Sequence, residues 1–127
     1  MDAELEEALR RGGVVWVGLD GRAPRPVWHV WHDAAVHVVC GGGEQELPGA
    51  AGAAQAVVVA RGRGSLAGRA GELAADVERL VPGTSAWDEV VPLLVAARLN
   101  APDLDALPGQ WARSSVLLRL RPRASEH

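Results

Sequence analysis

The strongest constraint on the fold is a series of short β-type segments joined by turns of only a few residues. The apolar run Val14–Leu19 precedes Asp20-Gly21, a pair typical of a two-residue hairpin turn. The next segment, Arg25–His32, alternates between two faces and reaches Asp33-Ala34, after which Val36–Cys40 returns as a third strand. Such short connections join antiparallel strands. The pattern therefore predicts an antiparallel, mainly β domain.

The rest of the chain adds strands and a few helices. Alternation of apolar and polar residues favours a strand over 69–80, although the alanines there would also permit a helix. Thr84 or Ser85 can cap the helix that follows, and Pro92 could split or kink it. The other predicted elements are a helix over 2–11, a strand over 56–60, a short helical turn over 103–107 and a last strand over 115–121. We expect a six-stranded antiparallel β-barrel with two or three helices, in a single domain over 1–127, and a disordered tail from Arg123 to His127.

Composition excludes several kinds of function. All 13 basic residues are arginine, so Schiff-base chemistry on lysine and a P-loop lysine are excluded. The net charge of −3 argues against a nucleic-acid-binding protein, which needs a broad basic face. With one cysteine, Cys40, the chain forms no internal disulfide, which fits a reducing cytoplasm. The acidic start lacks the features of a signal peptide, and no apolar run is long enough to cross a membrane.

Three histidines near Cys40 raise the possibility of a metal site. A two-residue turn at Asp33-Ala34 would pair Trp31 with Val36, His29 with Val38 and Val27 with Cys40, and Val30 with His37. His29 and Cys40 would then lie diagonally on one face, with His37 on the other. Because zinc needs three or four converging ligands, we expect no metal site, and a buried Cys40.

Two other segments have an anion-binding interpretation. The turn from Arg61 to Gly64 could hold a phosphate through its arginines, and Gly41-Gly42-Gly43 could present backbone amides to an anion. A solvated turn and a plain flexible loop are the alternative interpretations.

Taken in order, the segments resemble the pyridoxamine 5′-phosphate oxidase-like split-barrel family. The matching pieces of the first half are Val14–Leu19, Asp20-Gly21-Arg22, the strand beginning Arg25-Pro26-Val27-Trp28, and Val36–Cys40 running into Gly41-Gly42-Gly43. In the second half, residues 97–103 and Trp111-Ala112-Arg113 resemble a subgroup of short bacterial members, and Val116–Pro122 resembles the final strand of the family. The order of the pieces and the chain length carry the resemblance.

The resemblance implies a split-barrel homodimer that binds flavin mononucleotide (FMN) or a deazaflavin in grooves at the dimer interface. It implies an oxidoreductase in which the cofactor performs the hydride chemistry, and it assigns no catalytic residue. Carried over by position, Arg25 would contact the cofactor phosphate or pyrimidine edge, Val27 would offer backbone hydrogen bonds to the ring, and His29 or Val30 would lie near its reactive side. The phosphate-binding loop would be Gly41, Gly42, Gly43, Glu44 and Gln45, with Trp111 and Arg113 reaching in from the other subunit.

The loop after the third strand departs from the family pattern. Family members usually place basic residues there, whereas this chain has Glu44, Gln45 and Glu46 after the glycines. The glutamates would repel a phosphate, although arginines such as Arg22 or Arg25 could compensate from neighbouring strands. The alternative hypothesis is therefore a degenerate split barrel that binds another small molecule or a partner without redox activity.

Overall fold

Six antiparallel strands and three α-helices make up the described part of the computed structural model, which covers residues 3–11, 13–61, 69–98 and 103–123. The strands are β1 (Gly13–Leu19), β2 (Arg25–His32), β3 (Ala35–Cys40), β4 (Gln55–Arg61), β5 (Arg69–Leu80) and β6 (Val116–Pro122). The helices are α1 (Ala3–Arg10), α2 (Ser85–Ala97) and α3 (Leu107–Ser114). The strands close into a barrel in the order β1-β2-β3-β6-β5-β4.

Both predicted tight turns are present, but only the second is a two-residue hairpin loop, because the connection between β1 and β2 is five residues long, 20–24. Asp20 and Gly21 have φ of 49° and 83°, and Asp33 and Ala34 have φ of 52° and 55°. Two successive residues with positive φ form the tight turn whose twist matches that of paired strands. The second turn sets the predicted register of β2 against β3, which pairs Trp31 with Val36 and Val30 with His37.

The pairing of β2 with β3 ends earlier than the sequence predicts. Their register stops at Val30 and His37, so the expected pairs of His29 with Val38 and Val27 with Cys40 do not form. The side chain of Gln45 occupies backbone groups on both strands beyond this point. The barrel is therefore split between β2 and β3 and bridged there by a side chain.

Alternate residues of the strands fill the barrel interior, as the period of two requires. Val17, Val36 and Leu120 are fully buried there, and α1 adds Leu5 and Leu9 to the same cluster. This helix covers one end of the barrel because its apolar residues lie on a single face, at helical spacing.

A second cluster lies outside the barrel, where α2 and α3 pack on strands β2, β3 and β6. The helices contribute Trp87, Leu94 and Trp111, and the strands contribute Val39 and Leu117. Thr84 caps α2 as predicted, because its side-chain oxygen accepts a hydrogen bond from the backbone N–H of Trp87 at 3.3 Å. The helix continues through Pro92 without a break.

The structure corrects two expectations about the second half and confirms a third. The predicted helical turn over 103–107 is a 3₁₀ turn, Leu104–Ala106, that leads into α3, a helix the sequence did not predict. Residues 69–80 form a strand, with neighbours on both sides. Arg123, assigned to a disordered tail, donates its backbone N–H to Ala74 and its side chain to Asp76.

Some predictions fall on residues that lie outside the described ones. They are the turn over 62–64, the stretch 99–102 and the tail over 124–127. In the described part of the chain, the helices are too short or too polar to span a membrane.

Candidate functional site

A depression of about 250 Å³ lies on the outer face of the barrel, at the C-terminal end of α2. We call it the α2 groove; its lining residues are Gly13, Val14, Trp28, His29, Ala97 and Arg98. On one side, α2 and α3 cover the sheet. On the other, β1 and β4 present Val14 and Val57 to solvent, with 59% and 41% of their surfaces exposed. The groove thus runs along the edge of the helical layer, beside an apolar sheet surface.

The walls of the α2 groove are mainly apolar. Val14, Trp28 and Ala97 supply the apolar lining, and Arg98 is the one charged side chain among the described residues that line it. Val14 and Trp28 are opposite each other on β1 and β2, so they lie side by side on the outer face. Such a surface suits a flat apolar ligand.

His29 has its ring nitrogens engaged with the backbone. Nε2 lies 2.9 Å from the carbonyl oxygen of Leu9, and Nδ1 lies 3.0 Å from that of Gly13. The residue is 2% exposed. Burial lowers the pKa of His29, and the carbonyls of Leu9 and Gly13 oppose that shift. His29 thereby ties α1 and the start of β1 to β2, and it borders the groove rather than projecting into it.

The carboxylate of Glu44 is the centre of a buried contact beside the groove. Its Oε1 accepts a hydrogen bond from Arg98 Nε at 3.0 Å, and its Oε2 accepts one from Trp111 Nε1 at 3.0 Å. The Glu44 side chain is 7% exposed and the Arg98 side chain 26% exposed. Trp111, which the resemblance placed at a partner's cofactor, is 1% exposed within its own chain.

The glycine loop after β3 is folded tightly on itself. Gly41 donates its N–H to the Gln45 carbonyl at 2.9 Å and accepts from the Glu44 N–H at 3.1 Å. Gly42 has φ of +61°, and a Cβ there would overlap the backbone of Ser114 at the end of α3. Gly43 is exposed with φ of +95° and has open space around it. The loop thus packs one side against α3, and Gly43 faces solvent.

Gln45 joins the two strands where the barrel is split. Its Oε1 accepts from the Trp28 N–H at 2.8 Å, and its Nε2 donates to the carbonyls of Trp28 and Val39 at 3.0 and 3.1 Å. These contacts replace the ladder that β2 and β3 would otherwise form. Both polar atoms of the carboxamide are therefore hydrogen-bonded to the backbone beneath the groove.

The other predicted site residues do not line the groove. Arg25 is exposed at the start of β2, about 13 Å along the strand from His29. Val27 faces the barrel interior, 2% exposed, and pairs with Val15. Arg113 is exposed on α3 and lies against the backbone of Gly109 on the same helix.

The structure adds residues that the sequence did not single out for a site: Val14, Trp28, Ala97 and Arg98. Trp28 carried a signal, because it stands beside His29 on the opposite face of a predicted strand. Arg98 lies at the end of a predicted helix and pairs with Glu44, 54 positions away, which no local pattern reveals.

Two further polar groups are buried away from the groove. The Sγ of Cys40 donates to the Val116 carbonyl at 3.6 Å, and burial raises the pKa of its thiol to about 11. His37, fully buried, accepts a hydrogen bond at Nε2 from Arg119 Nε at 3.3 Å. Within the described ranges, no three metal-binding side chains are grouped closely enough to hold an ion.

Comparison with known proteins yields structural neighbours only. No protein-family model and no curated protein matches the sequence. HutZ, the heme storage protein from Vibrio cholerae, superposes with a TM-score of 0.64 at 11% identity, over 98% of this chain and 91% of HutZ. A FAD-binding protein from Mesorhizobium loti gives 0.57 at 16% identity, over 98% and 91%. An F420 reductase gives 0.56 at 16% identity, over 94% and 93%. The chain therefore has the six-stranded split-barrel fold that its sequence predicted.

Proposed function

We propose that this protein is an oxidoreductase of the split-barrel type that binds the ring of a flavin or deazaflavin in the α2 groove, as a homodimer. The observation that carries the proposal is the apolar groove at the edge of the helical layer, in a fold shared with a FAD-binding protein and an F420 reductase. When bound, such a cofactor supplies the hydride chemistry. The chain supplies the binding surface and excludes water from one face of the ring.

The residues present fit a ring better than a whole nucleotide. Trp28 and Val14 form a flat apolar floor, and Ala97 leaves space above it. The volume of about 250 Å³ lies just below the roughly 300–1,000 Å³ typical of ligand pockets. One chain therefore gives part of a site, and a second wall is needed to enclose the ligand.

A second copy of the chain is the wall that we propose. The exposed Val14 belongs both to the groove and to the sheet surface that continues to Val57 on β4. A subunit packed on that surface would bury the apolar side chains and close the open side of the groove. Sedimentation at micromolar concentration should therefore show a dimer, and a monomer would contradict this part of the proposal.

The binding site is tested by filling it. Ala97→Trp places a large side chain in the α2 groove from an exposed helical position, so FMN and F420 should bind at least about tenfold more weakly. Ala96→Trp is the matched control, because Ala96 is exposed on the same helix and does not line the groove. Equal affinities of the two variants would place the ligand elsewhere.

Cofactor binding by the natural protein is the simplest test of the proposal. Purified protein should carry flavin or deazaflavin absorbance, or bind one of the two on titration. If neither cofactor binds at high micromolar concentration, the proposal is wrong.

The redox part has its own measurement. A bound flavin that a nicotinamide donor reduces faster than it reduces free flavin would support an oxidoreductase. Binding without faster reduction would favour the alternative function, a split barrel that holds its ligand without turnover. The loop after β3 also suits that alternative, because it is acidic and its Glu44 is bonded to Arg98 and Trp111.

A further inference from the structure

We infer that the α2 groove selects the uncharged ring of its ligand and gives a phosphate group no advantage. The inference rests on the proposed function, since it concerns which part of a flavin the same site recognises. It predicts that the site recognises only the ring of a flavin or deazaflavin, so that riboflavin binds at least as tightly as its phosphate ester FMN.

The charge of Arg98 is already balanced at the groove. Its Nε donates to the Glu44 carboxylate at 3.0 Å, and that carboxylate is 7% exposed. Water screens a buried charge poorly, so the negative charge of Glu44 acts strongly on anything that approaches Arg98. An incoming anion therefore meets an ion pair and gains little from the arginine.

The end of α2 adds a second negative contribution. The helix ends at Ala97, and the N–H of Arg98 bonds to the Val95 carbonyl at 3.2 Å. The C-terminal end of a helix carries a partial negative charge of about half a unit. Because Ala97 and Arg98 line the groove, this partial charge opposes an anion at the same place.

The glycine loop does not offset the negative charge of Glu44 and of the end of α2. The N–H groups of Gly41 and Glu44 are used inside the loop, and Gly42 packs against Ser114. The next charged residue along the loop is Glu46, which is exposed. The loop that would cradle a phosphate therefore contributes no basic side chain to attract one.

These charges favour a neutral ligand over an anionic one. A phosphate ester carries a charge of about −1.5 to −2 and loses hydration on entering the site. An uncharged ring bears neither cost, and it gains from contact with Trp28 and Val14.

The test compares riboflavin with FMN on the full-length protein, by fluorescence titration at low and high salt. We expect the dissociation constant of FMN to equal that of riboflavin or to exceed it by up to about threefold, with no weakening of FMN binding as salt rises. FMN binding about tenfold or more tightly than riboflavin would overturn the inference and leave the proposed function standing. Failure of both to bind, with F420 also failing, would overturn both.

A single substitution should create a preference for FMN over riboflavin. Glu44→Gln keeps the shape of the side chain and removes the charge that balances Arg98, so FMN should gain about fivefold over riboflavin. Glu46→Gln is the matched control, since it removes the same charge from the same loop without touching Arg98. A gain with both variants, or with neither, would overturn the assignment to the Glu44–Arg98 pair. Should Glu44→Gln fail to fold, the ratio measured on the natural protein decides.

Discussion

The indole N–H of Trp111 donates a 3.0 Å hydrogen bond to the carboxylate of Glu44, 67 positions earlier in the chain. This bond fixes the glycine loop after β3 to helix α3, and Arg98 holds the other carboxylate oxygen. The loop and the end of α2 are thereby positioned by one buried carboxylate. Through Arg98, which lines the α2 groove, the carboxylate is also connected to the groove.

Loss of the indole N–H should destabilise the protein. Trp111→Phe keeps an aromatic ring in the cluster and removes the donor to Glu44, which should cost about 2 kcal/mol or more of the free energy of unfolding. Urea denaturation measures this cost. Trp87→Phe, in the same cluster and away from Glu44, removes similar volume and should cost less. Equal costs would show that the hydrogen bond contributes little.

Gly42 should tolerate no side chain, whereas its neighbour should tolerate one at modest cost. Gly42→Ala combines a positive φ with overlap of the Ser114 backbone, so we expect a loss of about 3 kcal/mol or more. Gly43→Ala has the positive φ alone, with open space around it, and should lose about 1–2 kcal/mol. Thermal unfolding measures the stability of both variants, and the difference between them is the cost of the contact with Ser114. The prediction is contradicted if Gly43→Ala is the more damaging.

The carboxamide of Gln45 should be more important for stability than an exposed amide. Gln45→Glu removes the N–H donors to the carbonyls of Trp28 and Val39 and turns a negative oxygen toward them. We expect a loss of about 3 kcal/mol at neutral pH, partly recovered in acid as the new carboxyl group takes up a proton. Gln110→Glu, exposed on α3, makes the same chemical change as a control. Similar denaturation midpoints for the two variants would show that the bridge is dispensable.

Acid should destabilise the protein through His37. Burial, followed by the charges of Arg119 and His32, lowers the pKa of His37 to about 4 from its ordinary value of 6.5. The unfolded chain therefore takes up this proton at higher pH than the fold does, so stability is full above about pH 6.5 and falls toward pH 4. The loss should total about 3 kcal/mol.

Urea midpoints measured across that pH range check the prediction. His37→Gln removes the titrating group and should flatten the pH dependence of stability. Part of the slope should remain, because burial also lowers the pKa of His29. An unchanged slope in His37→Gln would exclude His37 as the source.

Much of the barrel could be predicted because its determinants are local. Alternation with a period of two defines β2, and Asp20-Gly21 and Asp33-Ala34 set tight turns by backbone chemistry within two residues. The second of these turns also fixes the register that pairs Val30 with His37. The cap at Thr84 is local in the same sense, since its partner Trp87 lies three residues away.

The site could not be predicted in the same way. Glu44 was expected only to repel a phosphate, whereas the fold also buries it between Arg98 and Trp111, where it balances the charge of Arg98. Gln45 was expected to be a loop residue facing a phosphate, whereas its carboxamide bridges the two strands where the barrel is split. Helix α3 has Pro and Gly near its start and is held by the burial of Trp111.

The sequence by itself therefore determined the strands, the two tight turns and the six-stranded antiparallel barrel, because periodicity and turn chemistry act over a few residues. Only the tertiary structure decided what the loop after β3 does. The partners of Gln45 and Glu44 are up to 17 and 67 positions away, and only packing brings them together. The α2 groove and the charge balance at Arg98 follow from that packing.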